Sequence, residues 1–367
     1  MTVNDQKQAE DSTSPENLVQ RAIITVTLIL LSMVLLLWMA WDWDFQGQSL
    51  SGIWSRTDRP LFLASIVLIS TALPFVSLRW AALFPPEEKS RLSILTMTNL
   101  LCIAFIGNLF LPGPVGEGIA AWVLHRKCNV SVGNSLAGLG LSRVLGLGSA
   151  CTIAGLVYWI APFTIEPKWG EILIATSILL GCVALGLIGL VFFPKLPHRM
   201  LLRIRQWSWL QWTPIQRLFG LADEILTSLI DTTGRGWKAY TECILWAMTG
   251  HAFVASGIYL AVISMGMTAD WSAVLFVYSA SIAGSVAMFL FPGSAVAWDI
   301  LFATTLSMTA SLPMTVSVAV AVVVRIQQML VAAAGAALII VQSKELLAEA
   351  LAFGQQHLMD KDVQNDA

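Results

Sequence analysis

Residues 133–160 read GNSLAGLGLSRVLGLGSACTIAGLVYWI, an apolar run broken by one charge, Arg143. About 20 apolar residues in a helix cross the roughly 30 Å hydrocarbon core of a bilayer. This run is long enough, and Arg143 is eleventh in it, near the middle of the membrane. Insertion scales put an arginine there at a cost of about 2.5–3.5 kcal/mol. The stretch therefore makes the chain a membrane protein, and it contains a charge that needs a reason.

The rest of the chain agrees. Of 367 residues, 56% are hydrophobic and 12% charged, against about 25% charged in an ordinary soluble domain. That excludes a soluble globular enzyme, a disordered chain and a collagen. The net charge of −2 gives no basic field to attract nucleic acid. Eight full spans are expected near 22–41, 61–83, 93–112, 133–160, 171–193, 238–264, 271–291 and 314–341. Two shorter apolar pieces, 115–124 and 294–309, follow Leu111-Pro112-Gly113-Pro114 and Phe291-Pro292-Gly293. They read as broken or re-entrant helices. The fold class is an all-α integral membrane protein.

Residues 1–21 are polar, and the run after Arg21 is a retained first span rather than a cleaved leader. Trp80, Trp159, Trp169, Trp237 and Trp271 sit near span ends, as an interfacial belt requires. With each short piece carrying the chain back across, sixteen basic residues, Arg79 among them, fall on the N-terminal side. Three, Arg56, Arg59 and Lys168, fall on the other. If each short piece returns to its starting face, the tally is 11 to 8. The positive-inside rule prefers the first arrangement. Both termini are then cytoplasmic, in the inner (plasma) membrane. One membrane domain covers 22–342, with a tail at 343–367. The connection 195–237 alternates Arg199, Arg203 and Arg205 with apolar residues, then Trp207, Trp209 and Trp212. It reads as amphipathic helix on the inner leaflet.

A repeat is legible in the charges. Glu117 and Arg143 are 26 residues apart, and so are Asp299 and Arg325. Sliding the first copy by 182 sets Glu117 on Asp299, Arg143 on Arg325, Leu124 on Leu306 and Ser135 on Ser317. Copy A covers about 93–160 and copy B about 271–341. In the preferred topology the copies are inverted across the membrane, an arrangement common in transporters, whose sites lie near the midplane. The breaks at Pro112, Gly113, Pro292 and Gly293 free backbone groups and aim helix N-termini inward. A helix N-terminus with a guanidinium suits phosphate. Arg143, Arg325, Glu117, Asp299 and Asn108 are the candidate substrate-binding residues. The alternative is two structural ion pairs, with Asn108 packing or capping. His251 is expected as a satisfied core histidine, and Glu242 as a solvated residue near a span end. The five cysteines and four histidines do not cluster, so no metal, cofactor or catalytic residue is expected.

The same residues resemble a known family. Asn108-x-x-Leu111-Pro112, Gly116-Glu117, Arg126 and Arg143 look like the first half of the lysylphosphatidylglycerol synthase transmembrane family, also called flippase-like. Pro292-Gly293 through Arg325 resembles its second half, and together they cover roughly 20–342. The second half departs from a Gly-x-Gly-x-x-Glu element, with Ser294-Ala295-Val296-Ala297-Trp298-Asp299 in its place. In the best-known members a soluble aminoacyl-transferring domain follows, and residues 343–367 are too short for one. The resemblance thus implies transport of an anionic phospholipid or lipid-linked phosphate rather than synthesis. Two other readings stand beside it. One is a polyprenyl-phosphate-dependent glycosyltransferase using Asp42 and Asp44. The other is a scaffold with structural arginines.

Overall fold

The computed structural model describes residues 49–110, 115–161, 182, 193, 195–205, 237–288 and 294–341. Its helices, in chain order, are α1 (Leu50–Arg56), α2 (Arg59–Ser70), α3 (Ala72–Ala81), α4 (Pro86–Lys89), α5 (Ile94–Phe110), α6 (Val115–Cys128), α7 (Val132–Ile160), α8 (Lys195–Arg205), α9 (Trp237–Ser264), α10 (Trp271–Met288), α11 (Ser294–Thr309) and α12 (Met314–Val341). Among the described residues every regular element is a helix. Four stretches of the described residues are long and apolar enough to cross a membrane: Arg59–Ala81, Val132–Ile160, Trp237–Ser264 and Met314–Gly335. The expected spans at 22–41 and 171–193 lie outside the described residues, apart from Cys182 and Phe193, as do Pro112, Gly113, Pro292 and Gly293. Of the expected amphipathic connection, α8 is described and is helical.

Local chemistry explains the breaks. The expected span 61–83 is interrupted at Thr71 because Pro74 has no N–H to give the Ser70 carbonyl, and its ring crowds that turn. Nearby hydroxyls bond backward: Ser70 Oγ to the Ile66 carbonyl at 2.8 Å and Thr71 Oγ1 to that of Leu68 at 2.5 Å. Asp58 caps α2 by accepting from the Leu61 N–H at 3.1 Å. Gly266, with φ +74°, turns the chain after α9, where a left-handed glycine is the usual stop.

Packing fixes the ends of the bundle. At one end Lys89 of α4 pairs with Glu242 near the start of α9 at 2.8 Å, and Glu88 accepts from the Asn134 side chain near the start of α7 at 3.2 Å. At the other end the Asp58 N–H, before α2, donates to the Ser264 carbonyl, ending α9, at 2.7 Å. Small residues let backbones approach. A Cβ on Gly257 of α9 would lie 2.9 Å from Ile69 N and 3.0 Å from Ser65 O of α2. Hydroxyls of Ser77 on α3 and Thr98 on α5 meet at 2.9 Å.

Two trios, α5–α6–α7 and α10–α11–α12, are built alike. In each the short middle helix packs on both neighbours. Between them the contacts exchange: α5 meets α12, and α7 meets α10. α6 has 14 residues, roughly 21 Å at 1.5 Å per residue, too short to cross alone. Lys127, near its end, lies beside Thr96 and Asn99 near the start of α5. The pair α5–α6 thus leaves and regains the same end of the bundle, the one carrying Lys89 and Glu242. In the second trio the buried Leu312, two residues before α12, shares a cluster with Met265 and Ile53, and α12 touches α1, which precedes Asp58 at the opposite end.

The turns between middle and last helix match at the same 182-residue offset. Asn129 and Ser311 both take φ 53°, a left-handed conformation that non-glycine residues seldom adopt. His125 Nδ1 donates to the Val130 carbonyl at 2.8 Å, and Ser307 Oγ donates to the Leu312 carbonyl at 2.8 Å. Different side chains close the same turn.

Candidate functional site

Arg143 and Arg325 are each the twelfth residue of their long helix, α7 and α12. At 1.5 Å per residue that is about 17 Å from the helix start, the depth of the bilayer centre. Each meets the acid of its own trio. Glu117 stands in the first turn of α6, where the unsatisfied N–H groups favour negative charge. Arg143 Nη2 donates to Glu117 Oε1. In the second trio Arg325 Nε donates to Asp299 Oδ1 and Oδ2 at 2.8 and 3.0 Å. The four charges that the spacing singled out therefore come together as two pairs, each joining a short helix to a long one.

The pairs are dressed differently. The Glu117 side chain is 6% exposed and that of Arg143 is 54% exposed. About half of the Arg143 side chain is thus open beside a buried acid. Asp299 and Arg325 are 33% and 24% exposed. Arg325 Nη1 also donates to Gln328 Oε1 at 2.5 Å, and its guanidinium lies 5.3 Å from the centre of the Trp298 ring. Trp298 and Gln328 went unnoticed in the sequence. A glutamine one helical turn after an intramembrane arginine was the available signal. At the 182-residue offset their counterparts are Gly116 and Gly146.

Other candidates find their places. Asn108 lies in the last turn of α5. Asp42 and Asp44 are outside the described residues. His251 is buried and its Nε2 donates to the Gly146 carbonyl at 3.1 Å, as a satisfied core histidine should. Glu242 is ion-paired with Lys89 as well as partly solvated. Arg79, counted with the charges of the near face, corrects that tally. Its Nε donates to Ser142 Oγ on α7 at 2.8 Å, at the depth of Arg143.

Against known proteins, the family model described as the lysylphosphatidylglycerol synthase TM region matches residues 23–335. No curated protein and no solved structure matches the chain.

Proposed function

Because the chain belongs to the lysylphosphatidylglycerol synthase TM-region family, a family of multi-pass helical membrane domains, we propose that it moves an anionic phospholipid or lipid-linked phosphate between leaflets. The observation that carries this reading is the pair of acid–arginine contacts at matching register in two helix trios. An intramembrane arginine costs several kcal/mol unless it is paired or used. Arg143, half open and with its acid behind it, is placed to take a phosphate. Arg325 binds at the second trio, while Glu117 and Asp299 hold the guanidiniums and yield to substrate. Asn108 and the breaks at Pro112, Gly113, Pro292 and Gly293 enter this reading from their place in the sequence beside the two acids.

The exchanged contacts, the matched turns and the hairpins rooted at opposite ends support an inverted repeat. Rocking one trio against the other then gives alternating access. The end with Lys89, Arg126 and Lys127 is the cytoplasmic one in this reading, with both termini there and the protein in the plasma membrane.

Reconstitution tests it. Purified protein in liposomes should accelerate transbilayer movement of a labelled anionic phospholipid, and Arg143→Ala and Arg325→Ala should each slow it. Unchanged rates in both variants would remove these arginines from the site.

A further inference from the structure

Arg79 is a third arginine at the depth of the ion pairs, and among the described residues it has no acid partner. Its contact among the described residues is the Ser142 hydroxyl, and neither Glu117 nor Asp299 reaches it. Arginines near a helix end ordinarily turn to the nearer interface. Arg79 is two residues from the end of α3, and the Lys89–Glu242 and Glu88 cluster lies at that end. Its guanidinium instead extends inward. It lies against Gly146, where a Cβ would overlap Nη1 and come within 2.7 Å of Cζ. The glycine is a seat for the charged group.

The seat opens on a cavity of about 50 Å³ between α3, α9 and α10. By the volume one water needs, it holds roughly three to five water-sized groups, the size of a phosphoryl group and its oxygens. Its polar lining is Arg79, Trp246, His251 and Tyr278. Among the described residues Trp246 Nε1 is a buried donor with no hydrogen-bond partner, a state buried N–H groups seldom tolerate. His251 spends its Nε2 proton on Gly146. Tyr278 lies beside the His251 ring, at 5.8 Å between centres. Two donor-bearing side chains and a phenol border the space, and among the described residues no carboxylate lines it. Phe75 and Trp246, half-buried and stacked at 6.0 Å, form its outer wall.

We propose that this cavity is a second oxyanion site, taking a phosphoryl group with Arg79 as its cation and Trp246 as a neutral donor. The inference does not rest on the transport reading, since its cation is a different arginine and its cavity lies between α3, α9 and α10, although that arginine is seated on α7 beside Arg143. The phosphoryl group belongs either to a phospholipid headgroup or to free phosphate.

The test uses the full chain in a maltoside detergent, which carries no phosphate. The protein is labelled with 5-fluorotryptophan, and the Trp246 resonance is assigned by its loss in Trp246→Phe. Inorganic phosphate and phosphatidylglycerol are titrated separately. A saturable shift of the Trp246 signal is expected with at least one of them. A shift with phosphate alone identifies the free ion as the occupant, and a shift with phosphatidylglycerol alone identifies the headgroup. Affinity should fall about tenfold or more in Arg79→Gln and in Gly146→Ala, and less in Arg79→Lys. It should persist in Arg143→Gln and Arg325→Gln, which separates this site from the one proposed for transport. Should Arg79→Gln not fold, Arg79→Lys and Gly146→Ala decide. No shift with either titrant, or equal affinity in the variants that fold, overturns the proposal.

Discussion

The two helix trios carry the same ion pair and treat it in opposite ways. In α10–α12, Trp298 and Gln328 close around Arg325. In α5–α7 the matching positions are Gly116 and Gly146, and Arg143 keeps the Glu117 contact with half its surface open. The space that a side chain fills beside Arg325 is occupied, beside Arg143, by the guanidinium of Arg79 arriving from α3. Two trios can thus share a charged skeleton while one packs around its arginine and the other leaves it open. Side-chain volume at two positions decides which.

The hardest blow to this contrast is to import one trio's residue into the other. Gly146→Gln puts an amide where the Arg79 guanidinium sits, so overpacking and an unseated buried charge should cost about 3 kcal/mol or more. Thermal unfolding in detergent measures it, and a wild-type midpoint would mean that the seat is not occupied as described. Next come the lysine variants. Arg325→Lys loses the planar fork that serves Asp299 and Gln328 together, and should cost about 1.5–3 kcal/mol. Arg143→Lys keeps its single charged contact and should stay within about 0.5 kcal/mol of wild type. If the two variants melt alike, the difference between cage and open face carries no energy.

The remaining pair of tests probes the sameness of the trios. Ser307→Ala and His125→Ala should each cost about 1 kcal/mol by unfolding midpoint, the net worth of one turn-closing hydrogen bond. A cost confined to one of them would break the equivalence of the turns. Asn129→Gly and Ser311→Gly should each gain at most about 1 kcal/mol, since glycine relieves the left-handed backbone but loosens the unfolded chain. A loss at either position would show that its side chain does more than tolerate the turn.

The sequence was most informative where charge was scarce. The 26-residue spacing marked both ion pairs, because an acid and an arginine stand out in an apolar span. Helix limits followed from the apolar runs, so that spans expected to begin at 133 and 238 begin at Val132 and Trp237. Arg79 was misread for a physical reason. Its distance from the span end is ordinary for a charge at the face, and its inward path is set by Gly146, 67 residues away in the chain. The matched turns were hidden as well. A histidine and a serine share no resemblance in sequence, yet both send a donor to a carbonyl five residues on. Trp298 and Gln328 were visible as letters, but their role needed the geometry of α11 against α12.

The seat at Gly146 also ties two positions into one unit of inheritance. A chain that gains a side chain at 146 must move the guanidinium of residue 79 off this seat or shorten it, and a chain that loses the arginine frees 146 to grow. Across relatives of this protein, the two positions should therefore tend to change together: glycine opposite arginine, or a larger residue opposite a smaller one. In a homologue with arginine at 79 and a bulky residue at 146, the guanidinium should point away from this seat.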